Sequence, residues 1–136
     1  MAKTKMIKEA KNKQPYGNNK EDNLDVTSIM EKEYPTMMDE FKRIQQEQYE
    51  LFAVKQHDYG PHNISMGTEL RNEKEVKLAL TALTVRINDK VNRLVNLIIR
   101  RDSEGQAEPV EDAFADLSVY GIIARIVING KWGKWK

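Results

Sequence analysis

Two acidic pairs are the residues of this chain best placed to do chemistry: Glu47 and Glu50, spaced i, i+3, and Asp112 and Asp116, spaced i, i+4. At either spacing both carboxylates leave one side of a helix. Two such pairs on facing helices can converge, and their oxygens suit a hard cation such as Mg²⁺ or Mn²⁺. The plainer alternative is a pair of solvated acidic faces. Asp116 resists that alternative. On a helical wheel Asp112 and Asp116 share their azimuth with Val119 and Ile123, so one stripe is acidic in its first half and apolar in its second. An aspartate that points where the core points must be paired, metal-bound or facing a cleft. Asp112 lies in the first turn, where the helix dipole favours an anion, so a capping role stays open for it.

Basic residues follow the same logic. In "RINDKVNR", Arg86, Asp89, Arg93 and Asn96 share a helical face, with Lys90 flanking it. Guanidinium groups fork onto phosphate oxygens and Lys90 adds a point charge. Asp89 can orient an arginine or add a metal oxygen; equally, it can pair with Arg93 or Arg86 on an exposed helix. The stretch "VKQHDYGPHN" supplies a third group. Tyr59 can stack on a base, Asp58 and Asn63 can bond a sugar or base edge, and Lys55 can reach a phosphate from the last helical turn. Asp58 to Pro61 is expected to form a tight turn in which Gly60 supplies the permissive dihedral. His57 and His62 are the minor case: no zinc-type histidine spacing is present, and a histidine at a helix C-terminus is accounted for by the dipole. The chain has no glycine-rich phosphate loop, dinucleotide fingerprint or serine nucleophile elbow.

Helices must position these groups. Met37, Phe41, Ile44, Leu51 and Phe52 make an apolar stripe on a helix predicted from near Pro35 to His57. Val76, Leu80, Leu83, Ile87, Val91, Leu94 and Ile98 alternate steps of four and three, which predicts a second helix from near Asn72 to about Arg101. The third is predicted from near Pro109 to about Asn129, with Gly130 ending it, and its second half is apolar nearly all round. The fold class is therefore all-α, a helical bundle of three main helices. Residues 1–30 are expected to be a flexible basic arm and residues 31–136 a single α-helical domain. The broad apolar area predicts a homo-oligomer, dimer or higher, through the third helix. The basic and aromatic "GKWGKWK" tail is read as a solvated end or one tucked onto a neighbour.

The chain has 136 residues, no cysteine, and 22 basic against 21 acidic side chains. No disulfide framework or thiolate site is available. The balanced charge gives no signal for nucleic acid or membrane, so direct nucleic-acid contact is expected of nothing beyond the two tails. No apolar run approaches the roughly 18 residues of a membrane span, and no secretory signal is legible. A cytoplasmic location is expected, in the host cytoplasm if the chain is phage-encoded.

"KQHDYGPHNI", "RINDKVNRLVNL" and "EDAFADLSVYGIIARI" together resemble, in order and rough spacing, the phage and bacterial nucleotide modification associated domain type 1 family. The resemblance covers roughly residues 38–130. It implies a link to phage nucleotide metabolism or DNA-base modification. A more distant resemblance runs to the all-α MazG-like and dimeric dUTPase pyrophosphatases, whose sites pair an E-x-x-E with a later E-x-x-D around Mg²⁺. Glu47-Gln-Tyr-Glu50 matches the first motif. Asp116 fits the end of the second, but Ala113 stands where its glutamate belongs, and Asp112 is the nearest substitute. These resemblances imply a Mg²⁺-dependent (deoxy)nucleoside triphosphate pyrophosphohydrolase. Glu47, Glu50, Asp112 and Asp116 would hold metal, with Glu50 and Asp116 catalytic. Lys55, Asp58, Tyr59, Asn63, Arg86, Asp89, Lys90 and Arg93 would hold the nucleotide. The departure at Ala113 leaves a second expectation, a non-catalytic nucleotide binder: a sponge for a signal nucleotide or an accessory subunit of base modification.

Overall fold

A computed structural model of the chain describes residues 20–101 and 107–134, with side chains from residue 25 onward. Helix α1 spans Lys20–Glu33, α2 Pro35–Tyr59, α3 His62–Ser65, α4 Glu73–Leu94 and α5 Ala107–Ile128, and a π-helical segment, Val95–Arg100, prolongs α4. All regular structure among the described residues is helical, and α2, α4 and α5 are the three main helices of the expected all-α fold. None of the described helices is long and apolar enough to cross a membrane.

The chain expected to be an unstructured arm as far as residue 30 is helical from Lys20; residues 1–19 lie outside the described residues. The helix breakers Pro15 and Gly17 precede Lys20, and neither residue type recurs before Pro35. Pro35 opens α2 at the one helical position that needs no N–H. Only Tyr34 separates α1 from α2: its N–H donates to the Met30 carbonyl at 2.8 Å and its carbonyl accepts from the Met38 N–H at 3.1 Å. The backbone therefore stays hydrogen-bonded i to i−4 across the junction.

Where the sequence reading takes residues 31–136 as one domain, the described residues fall into two compact units, one ending at Asp58 and one beginning at Tyr59. The first holds α1 and α2, and no residue of α2 is buried. The second holds the core. There α4 packs on α5 and α3 on α4. The buried apolar side chains are Ile64 of α3, Val76, Ala79, Leu83 and Leu94 of α4, Ala113, Ile123 and Val127 of α5, and Trp132. Most of the apolar surface of α5 thus turns inward, although Phe114 and Ile122 remain exposed.

Each end of the α4–α5 pair has a local cause. Asn72 caps α4: its Oδ1 accepts from the Glu75 N–H at 3.0 Å, while the Glu75 carboxylate accepts from the Arg71 N–H at 2.6 Å. This is a reciprocal cap of orphan donors. Asn72→Ala is expected to lower stability by about 1 kcal/mol; chemical denaturation checks this, and an unchanged midpoint would mean that the cap is redundant. At the far end of α4 the hydrogen bonds step to i−5, as in Arg101 N–H to the Asn96 carbonyl at 2.9 Å. The widened turns rotate later side chains off the packing stripe, which leaves Ile98 exposed despite its place in the predicted repeat. Helix α5 ends in a Schellman motif: Lys131 N–H bonds the Ile126 carbonyl and Gly130 N–H that of Val127, with Gly130 at φ +69°.

Candidate functional site

The stretch that the sequence marks as a turn divides between two elements. Asp58 and Tyr59 belong to the last turn of α2, so the expected Asp58–Pro61 turn is shortened, and the reversal falls on Gly60 at φ +72°. Pro61 then starts α3, which ends at Met66 in the left-handed region, φ 55°. A non-glycine residue there carries strain, and Leu70 at φ 52° repeats it four residues on. Thr68 braces the segment: its hydroxyl donates to the Ser65 carbonyl at 2.8 Å and accepts from the Leu70 N–H at 3.3 Å.

Two long-range bonds fix this loop. Arg86 Nη2 donates to the Asn63 carbonyl at 3.0 Å, and Trp132 Nε1 donates to the Pro61 carbonyl at 2.9 Å. The tail that was read as solvated or tucked onto a neighbour therefore packs on its own chain through Trp132, which is 6% exposed; Trp135 lies outside the described residues. Between loop and tail is a cleft of ≈ 270 Å³, lined by Ser65, Thr68, Glu69 and Trp132 among others. That is slightly below the roughly 300–1,000 Å³ of small-molecule pockets. The Ser65 hydroxyl and Asn63 Oδ1 are buried with no hydrogen-bond partner in the protein. Buried acceptors of that kind are uncommon and each asks for a donor. Ser65 and Trp132 are contributors that the sequence reading missed; a serine in a short apolar run and a tryptophan after a glycine carry no distinctive pattern.

Next to Arg86 on α4 stands the closest approach among the predicted residues. Lys90 Nζ meets Asp116 Oδ2 of α5 at 2.8 Å, with side-chain exposures of 25% and 30%. Lys90 lies seven residues after Leu83 and fourteen after Val76, both buried, so it falls on the packing stripe itself. The predicted stripe had Val91 there, yet Val91 is 44% exposed. Lys90 was expected to flank a polar face opposite the core; it faces α5 instead. Asp116 points as expected, along the stripe that Ile123 and Val127 bury. Asp89, Arg93 and Asp112 are exposed, as are Lys55, Asp58 and Tyr59 on the last turn of α2.

Glu47 and Glu50 sit on exposed α2. Glu47 accepts from Arg43 Nη1 at 2.8 Å and Glu50 from Gln46 Nε2 at 3.1 Å. Arg43 also binds Glu40 at 2.6 Å, and that hydrogen bond holds the Glu40 carboxyl below its usual range. Within the second unit Asp112 and Asp116 come from one helix, a turn apart. Among the described residues no group of three or more Asp, Glu and His side chains is arranged to hold a metal ion, so the expected four-carboxylate set is not seen as such. His57 lies 3.9 Å from Asp58, and His62 lies 3.9 Å from Glu69.

Comparison of the chain with family models, with curated proteins and with solved structures gives no match.

Proposed function

We propose that the unit beginning at Tyr59 binds a (deoxy)nucleoside triphosphate as its magnesium complex. The observation that carries this reading is the Lys90–Asp116 pair at 2.8 Å, set where the packing stripes of two helices meet and still open to solvent. Such a pair adds little stability over apolar side chains of similar size, so its place asks for another use. It holds a cation and an anion side by side, and a metal–triphosphate presents the complementary couple. Phosphate oxygens would take Lys90, and Asp116 would turn to the cation. Arg93 is exposed nearly one turn further along α4 and can add charge to the phosphates.

The donor set fits magnesium in this form. Mg²⁺ keeps several waters and takes one or two carboxylates besides substrate phosphates, so Asp116 with Asp112 suffices without a dedicated cage. When bound, the cation would bridge phosphate oxygens and lower the pKa of a water. The nucleoside end is assigned to Asn63, whose buried Oδ1 lacks a donor, and to exposed Tyr59. The family resemblance supports a setting in phage nucleotide metabolism or DNA-base modification.

Whether the ligand is cut divides two readings. Hydrolysis to monophosphate and pyrophosphate is supported by the acidic pairs in the sequence. Binding without turnover is supported by a specific contact: the carboxylate nearest the phosphate site is already neutralised by Lys90. Incubation with each nucleoside triphosphate and Mg²⁺, followed by product analysis, separates them. For the enzyme, Asp116→Ala is expected to cut turnover by roughly 10²–10⁴-fold, the scale of a lost acid–base group. Tight binding with no product supports the binder. Failure to bind any nucleotide at millimolar concentration sinks both.

A further inference from the structure

We infer that α1 and α2 form a docking rod for a second copy of this chain, and that two rods pair in parallel as a coiled coil. The helical backbone runs through Tyr34, and a four–three repeat runs with it: Met30, Tyr34, Met37, Phe41, Ile44, then Gln48 and Leu51. That is three heptads with one polar break. The chain itself does not bury this seam: Phe41 is 63% exposed, and Tyr34, Met37, Ile44 and Leu51 are exposed as well. Helices draw most of their stability from packing an apolar face, and a seam this long left in water is an interaction surface. Three heptads run about 32 Å. Pairing along that length, with flanking positions included, covers on the order of 800 Å² per partner, the scale of a stable interface.

The occupant follows from the seam's own pattern. In parallel register each side chain meets its copy, so Gln48 faces Gln48 and the two amides can bond each other, as polar groups at such positions do when they set register. Antiparallel pairing would set Gln48 against an apolar side chain. Charge agrees. One flank of the seam carries Glu33, Glu40 and Glu47; the other carries Met38, Gln45 and Phe52. Parallel rods place the glutamates beside the neutral flank, whereas antiparallel rods place glutamate against glutamate, which costs energy. This surface differs from the third-helix contact expected from the sequence, because much of α5 already packs on α4.

The full chain is therefore expected to run as a dimer by light scattering at tens of micromolar. Ile44→Glu should halve the mass and weaken association at least tenfold. Tyr49→Glu, exposed on the same helix but off the seam, should leave the mass unchanged. Circular dichroism confirms that each variant keeps its helices. The chain has no cysteine, so single cysteines report orientation cleanly. Met30→Cys and Leu51→Cys should each oxidise to a disulfide-linked homodimer on its own. A monomeric wild type, a dimer that survives Ile44→Glu, or cross-linking only when the two variants are mixed would each overturn the proposal.

Discussion

Trp132→Ala is expected to destabilise the unit beginning at Tyr59 by about 3–5 kcal/mol, the usual cost of truncating a buried large aromatic side chain. The core there is small, and Trp132 is its largest buried side chain by type. Two effects combine. The indole covers apolar surface at the α3 loop, and its N–H satisfies the Pro61 carbonyl at 2.9 Å. Removing it opens a cavity and leaves an acceptor in need of a donor. For a unit of this size each kcal/mol shifts Tm by roughly 4–8 °C, so a fall of 12 °C or more is expected in thermal melts. Trp132→Phe separates the two effects, because it keeps most of the apolar cover and drops the hydrogen bond. It should cost about 1–2 kcal/mol. The neighbouring glycine offers an independent check. A Cβ at Gly133 would stand 3.2 Å from Pro61 Cβ on a backbone already at φ +68°, so Gly133→Ala should also destabilise the docked tail. If Trp132→Ala moved Tm by less than about 3 °C, the tail would be decoration and the loop would be held by Arg86 alone.

That tail also shows where sequence reasoning stopped. The helices were legible because periodicity, the proline at each start and Gly130 at the last end all point the same way. The N-terminus of α4 was legible for the same reason, with Asn72 three residues before Glu75. The rotation of α4 was not. Reading the stripe as its most apolar residues selects Val91, but packing selects Lys90, since the buried set Val76, Ala79, Leu83 and Leu94 turns the helix slightly. The fully buried alanines at 79 and 113 fit that rotation, because small side chains let two helices approach. A pattern based on hydrophobicity alone gives an alanine little weight. Asp116 was found because it breaks an apolar stripe, and the same test applied to α4 with the alanines counted would have found Lys90. The role of Arg86 was hidden for another reason. Its partner is a backbone carbonyl 23 residues away, and no side-chain pattern encodes a carbonyl. The carboxylate pair on α2 was legible as spacing, yet spacing does not report that Glu47 is held by Arg43.

Lys90→Met is expected to weaken nucleotide binding about 10- to 100-fold, the scale of one charge-assisted hydrogen bond of roughly 1.5–3 kcal/mol. The same change leaves Asp116 without its Lys90 contact in a site that is about one-third open, so a stability loss of about 1–2 kcal/mol is also expected. Those two losses must be told apart, and Asp116→Asn does so. Asparagine keeps the shape and can still accept from Lys90, but it no longer competes with a phosphate for the ammonium charge. Without magnesium, Asp116→Asn should therefore tighten nucleotide binding several-fold. With magnesium it should gain nothing further, because the carboxylate that meets the cation is gone. A wild-type chain should show the reverse: weak binding without magnesium and a clear gain with it. The combined Lys90→Met, Asp116→Asn chain should be more stable than Lys90→Met alone, since no buried charge is then left unpaired. Calorimetric titration with and without magnesium reads the affinities, and denaturant melts read the stabilities. A purely structural ion pair predicts a different pattern, in which both single variants melt earlier and neither moves affinity in a magnesium-dependent way. That pattern would remove Lys90 and Asp116 from the site and leave Asn63 and Arg86 as part of a loop clamp.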